Sequence, residues 1–249
     1  GGDYIFSCID ALLQKPDFVV GNLEGPITTN ASVSVGSVVG SPNNYRFTFP
    51  PSTASLLLAH NIKIVALGNN HITNFGMSGL RQTHRYLDDA GVGYFGGVSG
   101  AEPVYRTDDA GVSLSFVGYN QFGGASPVAV ALTIAQERMA GRMVIVFAHW
   151  GTEYSTTTVQ IRPVATLFAE SGASVIIGSH PHVVGAHERI GGTLVYYSLG
   201  NFIFDQYFNR AVTHGLAVLL HITQTGEVAA VEYPTELERD GRVCPQLLQ

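Results

Sequence analysis

Ala173-Ser174-Val175-Ile176-Ile177-Gly178-Ser179-His180-Pro181-His182 is the stretch from which the rest of the chain can be read. Its apolar first half predicts a short buried strand. Residues two apart on an extended segment point to the same side, so His180 and His182 can face one ion. Gly178 lets the backbone turn sharply off the strand, and neutral imidazole is a common ligand for zinc, iron and manganese. Taken alone, the same residues also fit a surface turn that carries two histidines.

Three other segments repeat the pattern of apolar strand followed by polar, ligand-type residues. Phe18-Val19-Val20-Gly21 leads into Asn22-Leu23-Glu24-Gly25-Pro26. Ile62-Lys63-Ile64-Val65-Ala66-Leu67 leads into Gly68-Asn69-Asn70-His71, and Val144-Ile145-Val146-Phe147-Ala148 into His149-Trp150-Gly151. Each has a plain reading as a turn or a core histidine. In an open α/β sheet, however, ligands gather beyond the carboxyl ends of the strands. Four strands ending in Glu24, Asn70-His71, His149 and His180-x-His182 are therefore expected to share one polyvalent site.

Composition narrows the classes. The 249 residues are 45% hydrophobic and only 13% charged, which predicts a sizeable core and argues against disorder. Thirteen basic against 19 acidic residues give a net charge of −6, so no basic stripe is available for nucleic acid. No signal peptide and no apolar run long enough to span a bilayer is evident, and the chain reads as a single soluble domain over residues 1–249. Cys8 and Cys244 lie near opposite ends; they are expected to be unpaired thiols unless the termini meet.

The periodicity predicts helices over 5–14, 52–59 (with Ser52 as cap), 77–90, 128–140 and 159–171, and strands over 18–21, 62–67, 93–96, 143–148 and 174–177. Hairpins are expected over 105–117, 186–198 and 215–234. Residues 28–51, rich in Ser, Asn, Gly and Pro, read as a long loop over the site.

The ordered set Asn22-Leu23-Glu24-Gly25-Pro26, Asn69-Asn70-His71-x-x-Asn74-x-Gly76, Ala148-His149-Trp150-Gly151-x-Glu153-Tyr154, Gly178-x-His180-Pro181-His182 and Tyr197-Ser198-Leu199-Gly200-Asn201-Phe202-x-Phe204-Asp205 resembles the CapA-type family, named for poly-γ-glutamate capsule biosynthesis. That family in turn resembles the calcineurin-like metallophosphoesterases. The resemblance implies an α/β fold, an αββα sandwich of two mixed sheets flanked by helices, around a site for one or two divalent metal ions (Mn, Zn or Fe). It assigns Glu24 as the bridging carboxylate, Asn70, His149 and His180 as ligands of one metal, and His182 as ligand of the other. His71 is implied as a general acid or electrostatic clamp. The family opens with a strand ending in Gly-Asp; here Gly2-Asp3 has no strand before it, so the first strand is expected to be missing.

Beside the ligands, Glu153 is expected to orient an imidazole or act as a base, and is placed with His71 among the catalytic residues. Asn22, Trp150 and Asn201 are placed at the substrate, although Trp150 also suits the core. The function implied is a metal-dependent hydrolase acting on a phosphoester or an amide or peptide, with an anionic small molecule or polyglutamate as substrate. Membrane-associated capsule-synthesis partners and an extracytoplasmic setting go with it. The alternative is a non-catalytic capsule-assembly component that binds polyglutamate or partner proteins through a degenerate metal site.

Overall fold

The continuous apolar runs become strands because both of their faces are buried. In the computed structural model, which describes residues 2–36, 38, 41, 44–98 and 102–246, three sheets form. β1 (Val19–Asn22), β2 (Ile62–Ala66) and β3 (Gly93–Phe95) make a parallel sheet in the order β1-β2-β3. β4 (Val104–Asp109), β5 (Val112–Asn120), β6 (Met143–His149), β7 (Ala173–Ser179), β8 (His187–Ile190) and β9 (Thr193–Tyr196) make a mixed six-stranded sheet, order β4-β5-β6-β7-β9-β8. β10 (His214–Ile222), β11 (Val228–Leu237) and β12 (Val243–Pro245) form a third, antiparallel sheet.

Helices cover the outer faces. α2 (Ser52–Ala59) and α3 (Gly76–Ala90) pack on the first sheet; α3 turns Leu80, Thr83 and Leu87 inward, the spacing of one helical face, and ends at the left-handed Gly91. α4 (Pro127–Met139), capped by Ser126, and α5 (Arg162–Glu170) pack on the six-stranded sheet through Ile134 and Phe168. Between the sheets lie Phe95, Phe116, Ile145 and Val175, joined by Leu216 and Val218 of β10. The layering is helix, sheet, sheet, helix, as the resemblance implies.

Local differences from the sequence reading have local causes. The helix expected over 5–14 splits into a 3₁₀ turn at Gly2–Phe6 and α1 (Asp10–Leu13). The helix expected from 159 begins only at Arg162, where Pro163 fits the first turn but not the interior. Ser52 is the first helical residue rather than the cap, which is Pro51. The short α6 (Arg210–Thr213) and β12 had no periodic signal long enough to predict them.

The expectation of free thiols is corrected: Cys8 and Cys244 form a disulfide. The termini meet because β12 pairs with β11 and Val243 enters the same core as Phe6 and Ile9, while Tyr4 donates to Asp240. Cross-linking residues so far apart removes much of the unfolded chain's freedom. Asp3 lies in this N-terminal turn, where its exposed carboxylate faces His60 at 3.4 Å. Among the described residues no strand precedes β1.

Candidate metal centre

The expected ligands come from the carboxyl ends of four strands in two sheets. Asn22 closes β1 beside Ala66 of β2, and His149 closes β6 beside Ser179 of β7. The chain leaves each strand at once, which delivers Glu24, Asn70, His149, His180 and His182 to one crevice. Glu24, His149 and His180 offer ligand atoms within 4.8 Å of one another. Glu24 Oε1 is 3.7 Å from His149 Nε2 and 4.0 Å from His182 Nε2, and Asn70 Oδ1 is 2.8 Å from His149 Nε2. Two donors each about 2.0–2.2 Å from one ion stand no more than roughly 4 Å apart, so these spacings suit a cation with little rearrangement.

The two histidines of the opening motif converge by a route other than strand alternation. β7 ends at Ser179, and His180 and His182 have left-handed backbones, with φ of 98° and 59°. Tyr154, against the same loop, has φ 59°. Such conformations are costly for residues with a Cβ and gather at functional sites. Gly178 is required for a different reason: a Cβ there would lie 2.0 Å from Tyr197 O and 2.6 Å from Trp150 Nε1.

Three of the expected ligands, Glu24, His149 and His182, are held from behind by hydrogen bonds. Ser179 Oγ lies 2.9 Å from His149 Nδ1, taking the role that spacing offered to Glu153. Asn201 Oδ1 accepts from His182 Nδ1 at 2.8 Å, which leaves Nε2 facing Glu24, while the amide of Asn201 donates to Val212 O. Asn22 donates to Glu24 Oε2 at 2.8 Å and accepts from Asn69, which also donates to Leu23 O and accepts from the His71 backbone. Asn22 and Asn201, expected to touch substrate, hydrogen-bond Glu24 and His182, two of the expected ligands. Trp150, also expected there, is fully buried in the core behind the site and donates to Tyr197 O. Its indole is apolar bulk with one satisfied donor, which suits a core position.

His71 is buried, its ring 4.7 Å from that of Phe47 and its Nδ1 3.3 Å from the Asn74 amide. The loop over 44–49 clamps it, since Asn74 also donates to Tyr45 O and Phe47 O. Part of the long loop expected over the site lies outside the described residues. Glu153 is exposed, and its charge acts on Glu24, His71 and His182.

Burial sets the electrostatics. Desolvation pushes Glu24 up to about 8, with the Asn22 bond opposing it. It pulls His180 down to about 4, and lowers His149, His71 and His182 as well. The imidazoles are thus neutral and ready to bind a cation, whereas Glu24 must give up its proton to do so, because ligands must be free of protons. Glu24 Oε1 and His180 Nδ1 are buried without a hydrogen-bond partner, and leaving such atoms unpaired is costly. The donor set of imidazole, carboxylate and amide oxygen therefore fits a zinc, manganese or iron ion.

Comparison with known proteins agrees with this architecture. Residues 1–206 match the family described as "Bacterial capsule synthesis protein PGA_cap". The chain is similar to the "PGA biosynthesis protein CapA" of Bacillus subtilis (strain 168), 27% identical over 246 residues, covering 91% of this chain and 63% of that protein. It is also similar to the "Capsule biosynthesis protein CapA" of Bacillus anthracis, 24% identical over 261 residues, covering 96% of this chain and 62% of that protein. The chain thus spans less than two thirds of the length of either relative. With the match extending across all five motifs, the chain belongs to the PGA_cap family of bacterial capsule synthesis proteins, which has the metallophosphoesterase-like fold.

Proposed function

We propose that this chain is a metal-dependent hydrolase of capsule biosynthesis, acting on a phosphoester or on an amide or peptide. The observation that carries the reading is Glu24 Oε1, buried and unpartnered between His149 and His182. Glu24, Asn70, His149 and His180 would hold one divalent ion, and His182 with Glu24 a second. A metal bound there supplies Lewis acidity toward a phosphoryl or carbonyl oxygen.

The chain's own groups do the rest. His71, kept neutral by burial, offers one ring donor and one acceptor for moving a proton. Asn201 fixes the tautomer of His182, and Ser179 orients the ring of His149. The Cys8–Cys244 disulfide supports a setting outside the cytosol, where such bonds persist, alongside membrane-associated capsule-synthesis partners. No helix among the described residues is long and apolar enough to cross a membrane.

The test is turnover of a chromogenic phosphodiester and of amino-acid anilides with added manganese, zinc or iron. His71→Ala is expected to keep its metal and lose activity about 10²–10⁴-fold, whereas His180→Ala loses both. Metal binding without any turnover would overturn the hydrolase reading and leave the binding-component alternative.

A further inference from the structure

Around His182 the hydrogen bonds run in one direction, and a single backbone oxygen sets it. Val212 O can only accept, so the Asn201 atom 2.9 Å from it is the nitrogen, Nδ2. The same nitrogen stands 3.2 Å from the Gln206 amide, whose facing atom must then be the acceptor Oε1. That leaves Gln206 Nε2 as donor to the Tyr154 hydroxyl oxygen at 3.1 Å. At the other end of Asn201, Oδ1 can only accept. The neutral His182 ring therefore carries its proton on Nδ1, 2.8 Å away, and turns a bare Nε2 toward Glu24.

Gln206 acts on His182 by two routes. It takes the second amide hydrogen of Asn201, and so locks that side chain in one orientation. It also ties down Tyr154, whose ring stacks on the imidazole with 5.8 Å between centroids. Tyr154 needs that tie, being 46% exposed on a left-handed backbone of φ 59°. Its other fixed points are Tyr154 N, which donates to Pro181 O at 2.8 Å, and the edge of Phe208 at 5.2 Å. Gln206 is itself placed by a tight turn in which its N–H donates to Phe204 O at 2.7 Å, and Phe204 sets its ring 4.9 Å from that of His182. One short turn after β9 thus supplies both a ring beside His182 and the amide that joins its supports. Gln206 lies just past the Tyr197–Asp205 motif, and no local pattern marks it.

We infer that Gln206 is a positioning residue of the metal centre, holding Asn201 and Tyr154 about His182 so that Nε2 of this imidazole is presented to the cation. The orientation of the ring stands on the hydrogen bonds alone; what Nε2 binds rests on the metal reading proposed above.

The experiment is multiple-bond ¹H–¹⁵N correlation of the histidine rings in the metal-free protein, with His182→Gln identifying the His182 signals, followed by titration with manganese. The unmodified protein is expected to carry the His182 proton on Nδ1. Gln206→Met keeps the length of the side chain and removes both polar atoms; it should bring in the second tautomer and weaken manganese about ten-fold, the lower end of what residues supporting a ligand contribute. Gln206→Glu is the rescue, because its carboxylate still accepts from Asn201 and the Tyr154 hydroxyl can turn to donate to it. That variant should keep the tautomer and lose less than about three-fold in manganese affinity. A residue that only steadies the loop would lower the melting temperature and leave the tautomer where it was. The inference is overturned by that result, by a proton on His182 Nε2 in the unmodified protein, or by Gln206→Glu behaving as Gln206→Met does. A tautomer that responds to Gln206→Met in a protein that binds no manganese leaves the positioning role standing and removes the metal reading. Manganese binding that ignores Gln206→Met removes the positioning role and leaves the metal reading.

Discussion

Two carboxylates enter the interior of this protein, Glu24 and Glu137, with side chains 12% and 8% exposed. Glu137, on α4, accepts from both Nε and Nη2 of Arg106 and from Ser115 Oγ, with Arg142 Nε 3.7 Å away. Those partners, Arg106 first, hold its carboxyl below the ordinary range. Glu24 has one donor, Asn22, one oxygen without a partner, and a pKa pushed up to about 8. With side chains of similar exposure, Glu24 lies much deeper in the protein, so desolvation dominates there, whereas the bonds from Arg106 dominate at Glu137. The Glu137 network is complete within the chain and ties α4 to β4 and β5. The Glu24 cluster leaves one buried oxygen without a hydrogen-bond partner among the described residues, the pattern expected of a ligand site.

The largest expected effect separates the two by metal affinity. Glu24→Gln should weaken manganese binding at least about 100-fold, as loss of a direct ligand exceeds the 10–100-fold typical of supporting residues. Glu137→Gln should leave manganese affinity unchanged and instead destabilise the fold by about 2 kcal/mol, after discounting for the half-exposed Arg106. That corresponds to a fall in melting temperature of about 4–8 °C. Calorimetry and thermal melts check both, and a Glu137→Gln protein that loses manganese would break the comparison.

The pH dependence of the metal-free protein sharpens it. Between 4.5 and about 8 the folded chain keeps a proton on Glu24 that the unfolded chain has released, so this group makes stability fall as pH rises through that window. Glu24→Gln removes the dependence and should melt several degrees above the unmodified protein at pH 8, with little difference near pH 5. His180, lowered from 6.5 to about 4, acts in the opposite sense: over that range the unfolded chain takes up a proton the folded one refuses, so stability rises with pH. Saturating manganese should reverse the pH 8 order, because the metal stabilises only the form that retains Glu24. The same pH dependence of the melting temperature in both proteins across pH 5–8 would remove Glu24 from the argument.

The smallest effect compares the single neutral donor each carboxylate has. Ser115→Ala should cost about 1 kcal/mol of stability, since Arg106 still satisfies Glu137, with no change in metal binding. Asn22→Ala should cost little in the melting temperature of the metal-loaded protein but weaken manganese about ten-fold by releasing Glu24 from its orientation. Equal behaviour of the two variants would mean that both carboxylates are structural.

Much of this was legible in the sequence, because strand runs bounded by glycine and ligand-type residues are local signals. The runs before Asn22, Gly68, His149 and Ser179 are strands within a residue or two of their expected limits, and α3 with its Gly91 cap follows the pattern closely. Glu24, Asn70, His149, His180 and His182 do gather, since the carboxyl ends of the strands share one edge of the layered sheets. The roles of residues around them were less legible. Asn22 and Asn201 look like substrate-facing polar residues until their partners are known, and Trp150 next to a ligand looks like a pocket wall until its burial is known. Ser179 lay inside the motif read first, yet only the register of β6 against β7 brings it to His149.

Short-range pattern and side-chain chemistry were enough for the α/β class, the strands that feed the crevice and the ligand types, while the layering of two sheets between helices was implied by the family resemblance. The tertiary structure decided what depends on distant residues meeting: the closure of Cys8 on Cys244 through β12, the left-handed turn that aims His180 and His182, and the packing of Phe122 and Tyr154 against those two histidines. It also decided which of two buried carboxylates is left without a full set of partners. A local pattern can place an acid at the end of a strand, but whether a cation or a hydroxyl from elsewhere reaches it is settled only when the sheets pack.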